Sequence, residues 1–403
     1  MKKIAFVLGN YKNGGMAVRA TNLANEFAAY GYFCDILATG EVGDTPFTAL
    51  KDNVAVVDIA EYSKKHSKDS AVVSDQKKRR SRIKRLKRLR CVTKLLAKAD
   101  RSLECRIKHL RSGESLRAYF LHETPFAAIT FGASYIASTI GAADGLDCKV
   151  IYAEKNAPQV ELAYSLENAG LFFRLLHMVS AVIVQTADAA FFYHSHGFSN
   201  VIVINNPVKP NLPPTNEGTR RKAVVNFCRM SEQKNIGLLI DAFALFRETH
   251  PDYTLEIYGN TVSPAEEEYR DKMISKAEDM GLSDSVKILP PAADVHEKVR
   301  DAAMFVSSSD FEGLSNSMIE AMAIGLPCVC TDCLGGGTRE VMTDGENGLI
   351  VPMKDTLALA NAMSRLADDP DFAEKCSANA AKIKEKLSVK TIAEQWLEII
   401  ENL

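Results

Sequence analysis

Short apolar runs rich in Val and Ile recur along the chain, and stretches with a helical pattern separate them. The first series occupies residues 3–9, 33–39, 54–59, 127–132, 149–154, 181–186 and 201–206, and the second occupies residues 223–228, 254–259, 286–289, 304–309, 328–331 and 348–351. Polar residues rarely alternate with apolar ones inside these runs, which is typical of parallel strands buried on both faces. Alternating strands and helices predict an α/β fold with doubly wound, Rossmann-like sheets.

The two series of strands predict two domains. A chain of 403 residues exceeds the size at which one core usually divides. The proline-rich stretch 205–220 separates the series and is the best candidate for a linker. The predicted domains are 1–207 and 208–387, followed by an amphipathic helix over 388–403 that returns to the first domain. The alternative is that this helix covers the surface of the second domain.

Composition excludes several classes of protein. Hydrophobic residues make up 46% of the chain, yet no run of about 18 apolar residues appears, so we expect no transmembrane helix. Nine cysteines, an odd number in a long chain, favour a reducing cytoplasm over a disulfide framework. The cluster of Cys328, Cys330 and Cys333 fits small strand residues better than metal ligands. His122 and His194 are isolated in the sequence, and we interpret them as structural.

Residues 77–111 form an intensely basic segment. They hold 16 Lys and Arg against Asp100 and Glu104, although the formal net charge of the whole chain is −2. Apolar residues recur at helical spacing from Leu89 to Leu110, which predicts a basic amphipathic helix. Such helices bind anionic membranes or lipid diphosphates; nucleic acid is disfavoured because no aromatic residues interleave. A solvated helix packed on the core is the remaining alternative. The candidate contacts are Lys84, Arg85, Lys87, Arg88, Arg90 and Lys94.

Two strand-to-helix turns carry groups suited to anions. Gly14 and Gly15 follow the first strand, where glycine lets backbone N–H groups approach an anion at a helix start. Arg229 and Lys234 follow the first strand of the second series and could hold a diphosphate. Taken alone, the turn is only a weak signal and could be a plain tight turn, and the two cations fit solvated surface residues better than a binding pair.

The stretch 310–330 carries two glutamates around a predicted helix start. Glu312 lies in the loop that ends a strand, where ligands of open α/β sheets bind. Glu320 lies further on, inside the helix, by up to about 12 Å at ~1.5 Å per residue. Carboxylates at this spacing can accept hydrogen bonds from hydroxyls at two ends of an extended ligand. The alternative is that Glu312 is only a charged loop residue and Glu320 only an exposed helix residue.

The same stretch resembles the signature of retaining family-four glycosyltransferases. The matching residues are Glu312, Gly313, Glu320, Ala321, Met322, Ala323, Gly325, Pro327 and Val329. The double glycine, the Arg229 and Lys234 pair, and the glycine-rich loop within 335–355 are also similar to that family. The resemblance implies the glycosyltransferase B fold, in which two Rossmann-like domains face a central cleft. It also implies no cofactor and no divalent metal.

The resemblance further implies a role for each matching residue. Glu320 would accept bonds from the ribose, and Glu312 from hydroxyls of the donor sugar. Arg229 and Lys234 would bind the diphosphate, with help from Gly14 and Gly15. The remaining donor contacts would be Gly313, Leu314 and Ser315. The resemblance implies that the catalytic residues are Glu312, Arg229 and Lys234. It assigns no nucleophile. Residues 258–261 and 289–294, which border the expected nucleobase pocket, depart from the family's sequence pattern. The identity of the nucleobase therefore stays open.

On the acceptor side, Glu154 and Asn156 resemble a segment of transferases that extend lipid-linked glycans, and they could equally cap a helix. The expected function is transfer, with retention of configuration, of a hexose or N-acetylhexosamine to a lipid-linked glycan acceptor in the synthesis of a surface polysaccharide or glycoconjugate. The expected donor is a nucleotide sugar, and the first candidate is a UDP-sugar. The expected location is the inner face of the cell membrane, bound peripherally to anionic lipid, with no nucleic-acid partner. The alternative functions are a nucleotide-sugar 2-epimerase of the same fold and a non-enzymatic binding module.

Overall fold

A computed structural model describes residues 2–12, 15–43, 49–93, 113–164 and 169–403. The chain divides into two compact units. The first comprises Met1–Val184, Ala190–Ile204 and Ile392–Leu403, and the second comprises Gln185–Ala189 and Asn205–Thr391. The division at 204/205 lies three residues before the predicted domain boundary. Residues 185–189, which the sequence assigns to the first domain, belong to the second unit.

The first unit is built on a parallel sheet of seven strands in the order β3-β2-β1-β4-β5-β6-β7. The strands are β1 (Lys3–Leu8), β2 (Phe33–Ala38), β3 (Val54–Asp58), β4 (Ala127–Phe131), β5 (Lys149–Ala153), β6 (Ala181–Val184) and β7 (Val201–Val203). All five residues of β4 and all four of β6 are buried. The apolar runs therefore become strands because only a sheet covered on both faces buries them completely.

Helices connect these strands as in a doubly wound fold. They are α1 (Gly15–Ala29), α2 (Ile59–Lys65), α3 (Ser70–Thr93), α4 (Glu114–Glu123), α5 (Ala133–Ala143), α6 (Pro158–Tyr164), α7 (Ala169–Leu176) and α8 (Ala187–Ser195). Asp58 ends β3 and caps α2, since its carboxylate accepts from the N–H groups of Ala60 and Glu61. The order of the strands reverses between β1 and β4, and ligands of such sheets bind at the carboxyl ends beside that reversal.

The second unit repeats the design with six parallel strands in the order β10-β9-β8-β11-β12-β13. They are β8 (Arg221–Arg229), β9 (Thr254–Asn260), β10 (Val286–Leu289), β11 (Ala302–Ser307), β12 (Cys328–Thr331) and β13 (Leu349–Val351). The predicted fold of two Rossmann-like α/β domains is confirmed. In this sheet the order reverses between β8 and β11, so the loops after these two strands flank the expected ligand position.

Side chains cap four helices in the described part of the second unit, those that begin at Ile236, Pro264, Thr356 and Pro370. The helices of this unit are α9 (Ile236–Thr249), α10 (Pro264–Asp279), α11 (Val295–Val299), α12 (Asn316–Ala323), α13 (Gly337–Val341), α14 (Thr356–Asp368), α15 (Pro370–Ala381), α16 (Ile383–Lys386) and α17 (Val389–Asn402). Asn235 adopts a left-handed conformation, and its side chain accepts from the N–H of Leu238 at the start of α9. This turn directs the segment between β8 and α9 that carries Lys234.

The last helix, α17, begins in the second unit and ends in the first, which includes its residues from Ile392 onwards. Within the first unit, the hydroxyls of Tyr30 and Tyr32 donate to Glu394 and Glu401 at 2.5 Å each. The buried face of this helix includes Trp396. Among the helices in the described part of the chain, none combines the length and the apolar character needed to cross a bilayer.

Candidate functional site

The loop after β11 and the turn after β8 are bound directly to each other. The N–H of Asp310 donates to the carbonyl of Gln233 at 2.9 Å, and the Gln233 side chain donates to the carbonyl of Phe311 at 2.7 Å. Gln233 belongs to a single 3₁₀ turn, Glu232–Lys234, that precedes α9. These bonds fix the backbone around Glu312 and bring together two segments that are distant in sequence. These hydrogen bonds therefore hold the loop in one conformation before any ligand binds.

Glu312 and Lys234 form a nearly buried ion pair at this position. The Lys234 ammonium contacts Oε1 of Glu312, and the two side chains are only 14% and 11% exposed. Ser309 donates to the same oxygen at 2.9 Å, and Gln233 donates to Oε2 at 3.2 Å. Burial is the largest single influence and lowers the pKa of Lys234, but the charge of Glu312, its hydrogen bond and the nearby Cys228 together outweigh burial and raise that pKa. The ammonium therefore stays charged at neutral pH.

This pairing changes what Glu312 can offer a ligand. A carboxylate has about four lone-pair sites, and three donors already occupy sites on Glu312. Glu312 can therefore accept few further hydrogen bonds from a sugar. The sequence predicts separate roles for the two residues, sugar for Glu312 and phosphate for Lys234, whereas the structure joins them into one unit.

Arg229 is the last residue of β8 and lies beside the same turn. Its guanidinium is half exposed and contacts Gln233 Oε1 at 3.3 Å and Glu266 Oε1 at 3.3 Å. These contacts are long, and solvent reaches the group. Arg229 is therefore accessible to an anion, while Lys234 is held by its carboxylate.

Glu320 lies on α12 and is oriented by a histidine that the sequence analysis did not single out. The Nε2 of His296 donates to Oε2 of Glu320 at 2.9 Å. His296 is buried, and its ring makes an edge contact with Phe227 at 5.3 Å between centroids. Glu320 itself is only partly buried. No motif in the sequence marks His296, because its partner is 24 residues away and the ring is fixed by tertiary packing.

The loop of Gly313, Leu314 and Ser315 leads from Glu312 into α12. The N–H of Leu314, which the resemblance places near the donor sugar, donates instead to Oε1 of Gln185 at 2.8 Å. Ser315 occupies the N-cap position of α12, but its side chain makes no capping bond and contacts Ser317. Gln185 was missed by the sequence analysis because it lies far away in the chain, at the end of β6.

The glycine-rich loop packs against Gly313 without any side chain between them. A Cβ added to Gly337 would lie 1.7 Å from the carbonyl oxygen of Gly313, so only glycine fits. Thr338 then bonds the carbonyl of Thr331 at 2.8 Å and anchors the loop to β12. The motif around Glu312 and the late glycine motif thus form one continuous surface.

In the first unit, the groups predicted for the donor phosphates and the acceptor lie after β1 and β5. Gly14 lies outside the described residues, and Gly15 is the exposed first residue of α1. Gly9 directly follows β1, and a Cβ there would lie 2.0 Å from the Tyr135 hydroxyl, so the Tyr135 side chain would have to move. Glu154 is buried directly after β5, and Asn156 is half-buried before α6. Their acceptor role stays a prediction.

The basic helix α3 starts at Ser70, seven residues before the predicted segment, and is described to Thr93. Over residues 70–87 its buried positions are Val72, Arg79 and Ile83, whereas the predicted stripe begins at Leu89, whose side chain is not described. Arg79 is buried because it donates to the carbonyl of Gly141 at 2.8 Å. A pattern that treats every arginine as solvated misses this packed face.

The predicted lipid contacts fall partly within this helix. Lys84, Arg85 and Lys87 are exposed. Arg88 and Arg90 lie in the helix, but their side chains are not described, and Lys94 lies outside the described residues. The described part of α3 therefore presents a row of cations on its exposed side.

Comparison with known proteins identifies the second unit. Residues 210–383 match the family described as Glycosyl transferases group 1. The chain carries a glycosyltransferase group 1 domain. The site around Glu312, Lys234 and Glu320 lies within the matched region, and the predicted enzyme class, a hexosyltransferase, is confirmed by this family together with its relatives.

Three similar proteins illustrate the relationship. An uncharacterized glycosyltransferase of Haemophilus influenzae is 23% identical over 403 residues, covering 99% of this chain and 100% of its own. The Campylobacter jejuni N-acetylgalactosamine-N,N'-diacetylbacillosaminyl-diphospho-undecaprenol 4-alpha-N-acetylgalactosaminyltransferase is 28% identical over 165 residues, covering 41% of this chain and 42% of its own. Anabaena HepE, solved in complex with UDP-glucose, has a TM-score of 0.70 at 18% identity, with both chains fully covered.

Not every relative is matched along its whole length. Further relatives are matched over 19% to 52% of their own sequences. The likeness to HepE shows the glycosyltransferase B fold. The predicted resemblance to family-four glycosyltransferases is thus confirmed.

Proposed function

We propose that the protein transfers a hexose or N-acetylhexosamine from a nucleotide sugar to a lipid-linked glycan acceptor, with retention of configuration. The observation that carries the proposal is the arrangement at the carboxyl edge of the second sheet, beside the reversal of strand order. There the Glu312–Lys234 pair joins the loop after β11 to the turn after β8, and Glu320, oriented by His296, lies in the helix that follows β11. This edge is where open α/β sheets bind ligands.

The donor is held by charges of both signs. Arg229, exposed at the end of β8, and Lys234 bind the diphosphate, because cations stabilise the charge that develops on a departing phosphate. Glu320 accepts from the ribose hydroxyls with the oxygen that His296 leaves available. Glu312 holds the Lys234 ammonium in place and offers its remaining acceptor site to the sugar.

The reaction exchanges one bond of the anomeric carbon for another. The bond from that carbon to the diphosphate oxygen breaks, and a bond to an acceptor hydroxyl oxygen forms on the same face. The acceptor proton passes to the departing diphosphate, whose electron pair is freed by the cleavage. The protein contributes positioning and charge stabilisation, and no side chain acts as a nucleophile.

We propose a uridine nucleotide as the donor and a membrane-borne acceptor. Anabaena HepE has the same fold and was solved with UDP-glucose, and the Campylobacter relative is named for transfer to a diphospho-undecaprenol. The exposed cations of α3 suit an anionic membrane surface, where each contributes on the order of 1 kcal/mol of attraction. Together these observations favour peripheral attachment beside the acceptor.

The donor is tested by thermal-shift measurements with UDP-, GDP- and ADP-sugars, since a bound ligand raises the unfolding temperature. We expect stabilisation by a UDP-sugar that is lost in Glu320→Ala and retained in the surface variant Glu374→Ala. Stabilisation by none of the three nucleotide sugars would refute the donor assignment.

The reaction type is tested by supplying the selected donor with and without lipid-linked acceptors. We expect an α-configured product from an α-configured donor, seen by NMR, and continued turnover in excess chelator. Conversion of the nucleotide sugar itself without any acceptor would instead identify the 2-epimerase alternative. An inverted product would contradict retention.

The membrane surface is tested by flotation with vesicles containing anionic lipid. We expect the triple variant Lys84→Gln, Arg85→Gln and Lys87→Gln to float less than the parent protein. A matched triple variant, Lys375→Gln, Lys382→Gln and Lys386→Gln, removes three exposed cations of the second unit and should float normally. Equal flotation of both variants would refute a specific role for α3.

A further inference from the structure

Two histidines and an aspartate converge in the first unit, away from the groups assigned to sugar transfer. The Nδ1 of His66 is 2.7 Å from Oδ2 of Asp69, and the Nε2 of His122 is 2.9 Å from the same oxygen. All three ligand atoms lie within 4.8 Å of one another. His122 is isolated in the sequence, but the fold gives it two polar partners. Two imidazoles and a carboxylate meeting at one point form an unusual cluster.

The cluster lies at the amino edge of the first sheet. His66 follows the last turn of α2, Asp69 immediately precedes α3, and His122 is in the last turn of α4, just before β4 begins. The neighbouring Glu123 pairs with Lys3, the first residue of β1. The opposite, carboxyl edge carries Glu154 and the turn after β1. The cluster is therefore separate from the predicted acceptor side.

We propose that His66, Asp69 and His122 bind one divalent transition-metal ion of the zinc type. Two imidazole nitrogens and one carboxylate oxygen are ligands that Zn²⁺ prefers, whereas Mg²⁺ and Ca²⁺ favour all-oxygen sites. Bonds of about 2.0–2.1 Å in a tetrahedron place ligand atoms about 3.3 Å apart. The two nitrogen–oxygen separations, 2.7 and 2.9 Å, are slightly shorter than that value, so small rotations of the side chains complete the site. Water supplies the fourth ligand.

Neighbouring groups hold the ligands near the required positions. The ring of Tyr62 stacks on that of His66 at 4.5 Å between centroids, and the rings of His66 and His122 are 4.6 Å apart. The Tyr62 hydroxyl donates to Glu123 at 3.0 Å, which ties the stack to the end of α4. Side chains restrained in this way lose less conformational freedom when a metal ion binds.

A metal ion at this position would join α2, the turn before α3, and α4. Because Asp69 directly precedes Ser70, the ion would fix the base of the helix that carries the exposed cations. Its role is structural, since the site lies at the edge of the sheet opposite the predicted chemistry. Removing the ion should lower stability and leave the transfer reaction intact at temperatures well below unfolding.

The site is tested by titrating the full-length protein with Zn²⁺ in calorimetry, together with Co²⁺ absorption spectroscopy. We expect one equivalent to bind and a Co²⁺ spectrum without the intense charge-transfer band of thiolate ligation, which separates this site from the cysteines. Asp69→Asn keeps the size and hydrogen-bonding capacity of the side chain and removes the anionic ligand. It should weaken binding by at least about tenfold, as should His122→Ala.

His250→Ala is the matched control, because His250 pairs with a single carboxylate, Asp368, in the second unit. This variant should bind Zn²⁺ as the parent protein does. Zn²⁺ should raise the unfolding temperature of the parent and of His250→Ala by several degrees, and that of Asp69→Asn much less. Absence of a stoichiometric Zn²⁺ site in the parent would refute the proposal. Equal affinity of Asp69→Asn and the parent would place the metal elsewhere and refute it as well.

Discussion

The two carboxylates that follow β11 differ in how far the protein has already satisfied them. Glu312 is nearly buried and accepts from Lys234, Ser309 and Gln233. Glu320 is more exposed, and within the described residues it accepts from His296 alone. The first carboxylate therefore serves mainly to hold a cation and a loop, and the second retains capacity for a ligand. The same residue type thus acts as scaffold at one position and as a binding group eight residues later.

Removing Lys234, the cation that pairs with Glu312, should have the largest effect on stability. Lys234→Ala leaves Glu312 charged and buried without compensation, and we expect a loss of about 3–5 kcal/mol in the free energy of unfolding. Urea denaturation measures the change. Lys222→Ala is the matched control, because Lys222 pairs with Asp252 on the exposed surface, and its stability should not change measurably.

The double variant Lys234→Ala with Glu312→Gln separates charge from packing. If the uncompensated carboxylate causes the loss, the double variant should recover more than half of it. Equal instability of the single and double variants would show that the lysine stem, and not the ion pair, stabilises this loop.

Removing the second carboxylate should affect binding and leave the fold intact. Glu320→Ala loses hydrogen bonds from the ribose to a charged acceptor, which corresponds to about 10- to 100-fold weaker binding of the nucleotide sugar. Calorimetry with the selected donor gives the affinity. If the variant loses stability but keeps its affinity, Glu320 belongs with Glu312 as a structural residue.

The comparison also shows which parts of the molecule the sequence could predict. The thirteen strands seen in the described residues follow from apolar runs, because burial on both faces leaves a local signature in the composition. The contact between Lys234 and Glu312 spans 78 residues and depends on the pairing of β8 with β11 as neighbouring parallel strands of one sheet. The motif thus supplies both residues but cannot reveal that each satisfies the other.

The residues that were missed share a physical cause. Gln233, Gln185 and His296 act through bonds to backbone or side chains that lie far away in the sequence. Arg79 is buried in α3 for the same reason, which hid the true packed face of that helix. Periodicity records which side chains avoid water, and it does not record where a polar side chain finds its partner.

A smaller effect is expected when the orientation of Glu320 is altered and its charge is kept. His296→Phe preserves an aromatic ring against Phe227 and removes the hydrogen bond to Glu320. One lost hydrogen bond of about 1 kcal/mol predicts about fivefold weaker nucleotide-sugar binding. His296→Gln, which can still donate, should restore part of the affinity. Similar affinity of His296→Phe and the parent would show that Glu320 needs no orienting partner.

The smallest change is expected from pH between 7 and 10. The pKa of Lys234 is raised in the folded protein. The stability that the pair contributes is therefore complete below the ordinary pKa of lysine, and it is lost only as the pH rises through the raised pKa of the folded protein. The parent and Lys234→Arg, which stays charged, should therefore differ by a constant amount up to about pH 10.4 and diverge above it. Thermal unfolding across this range measures the difference. A gap that widens already near pH 8 would mean that burial prevails over Glu312 at Lys234, and the scaffold role of that carboxylate would then have to be abandoned.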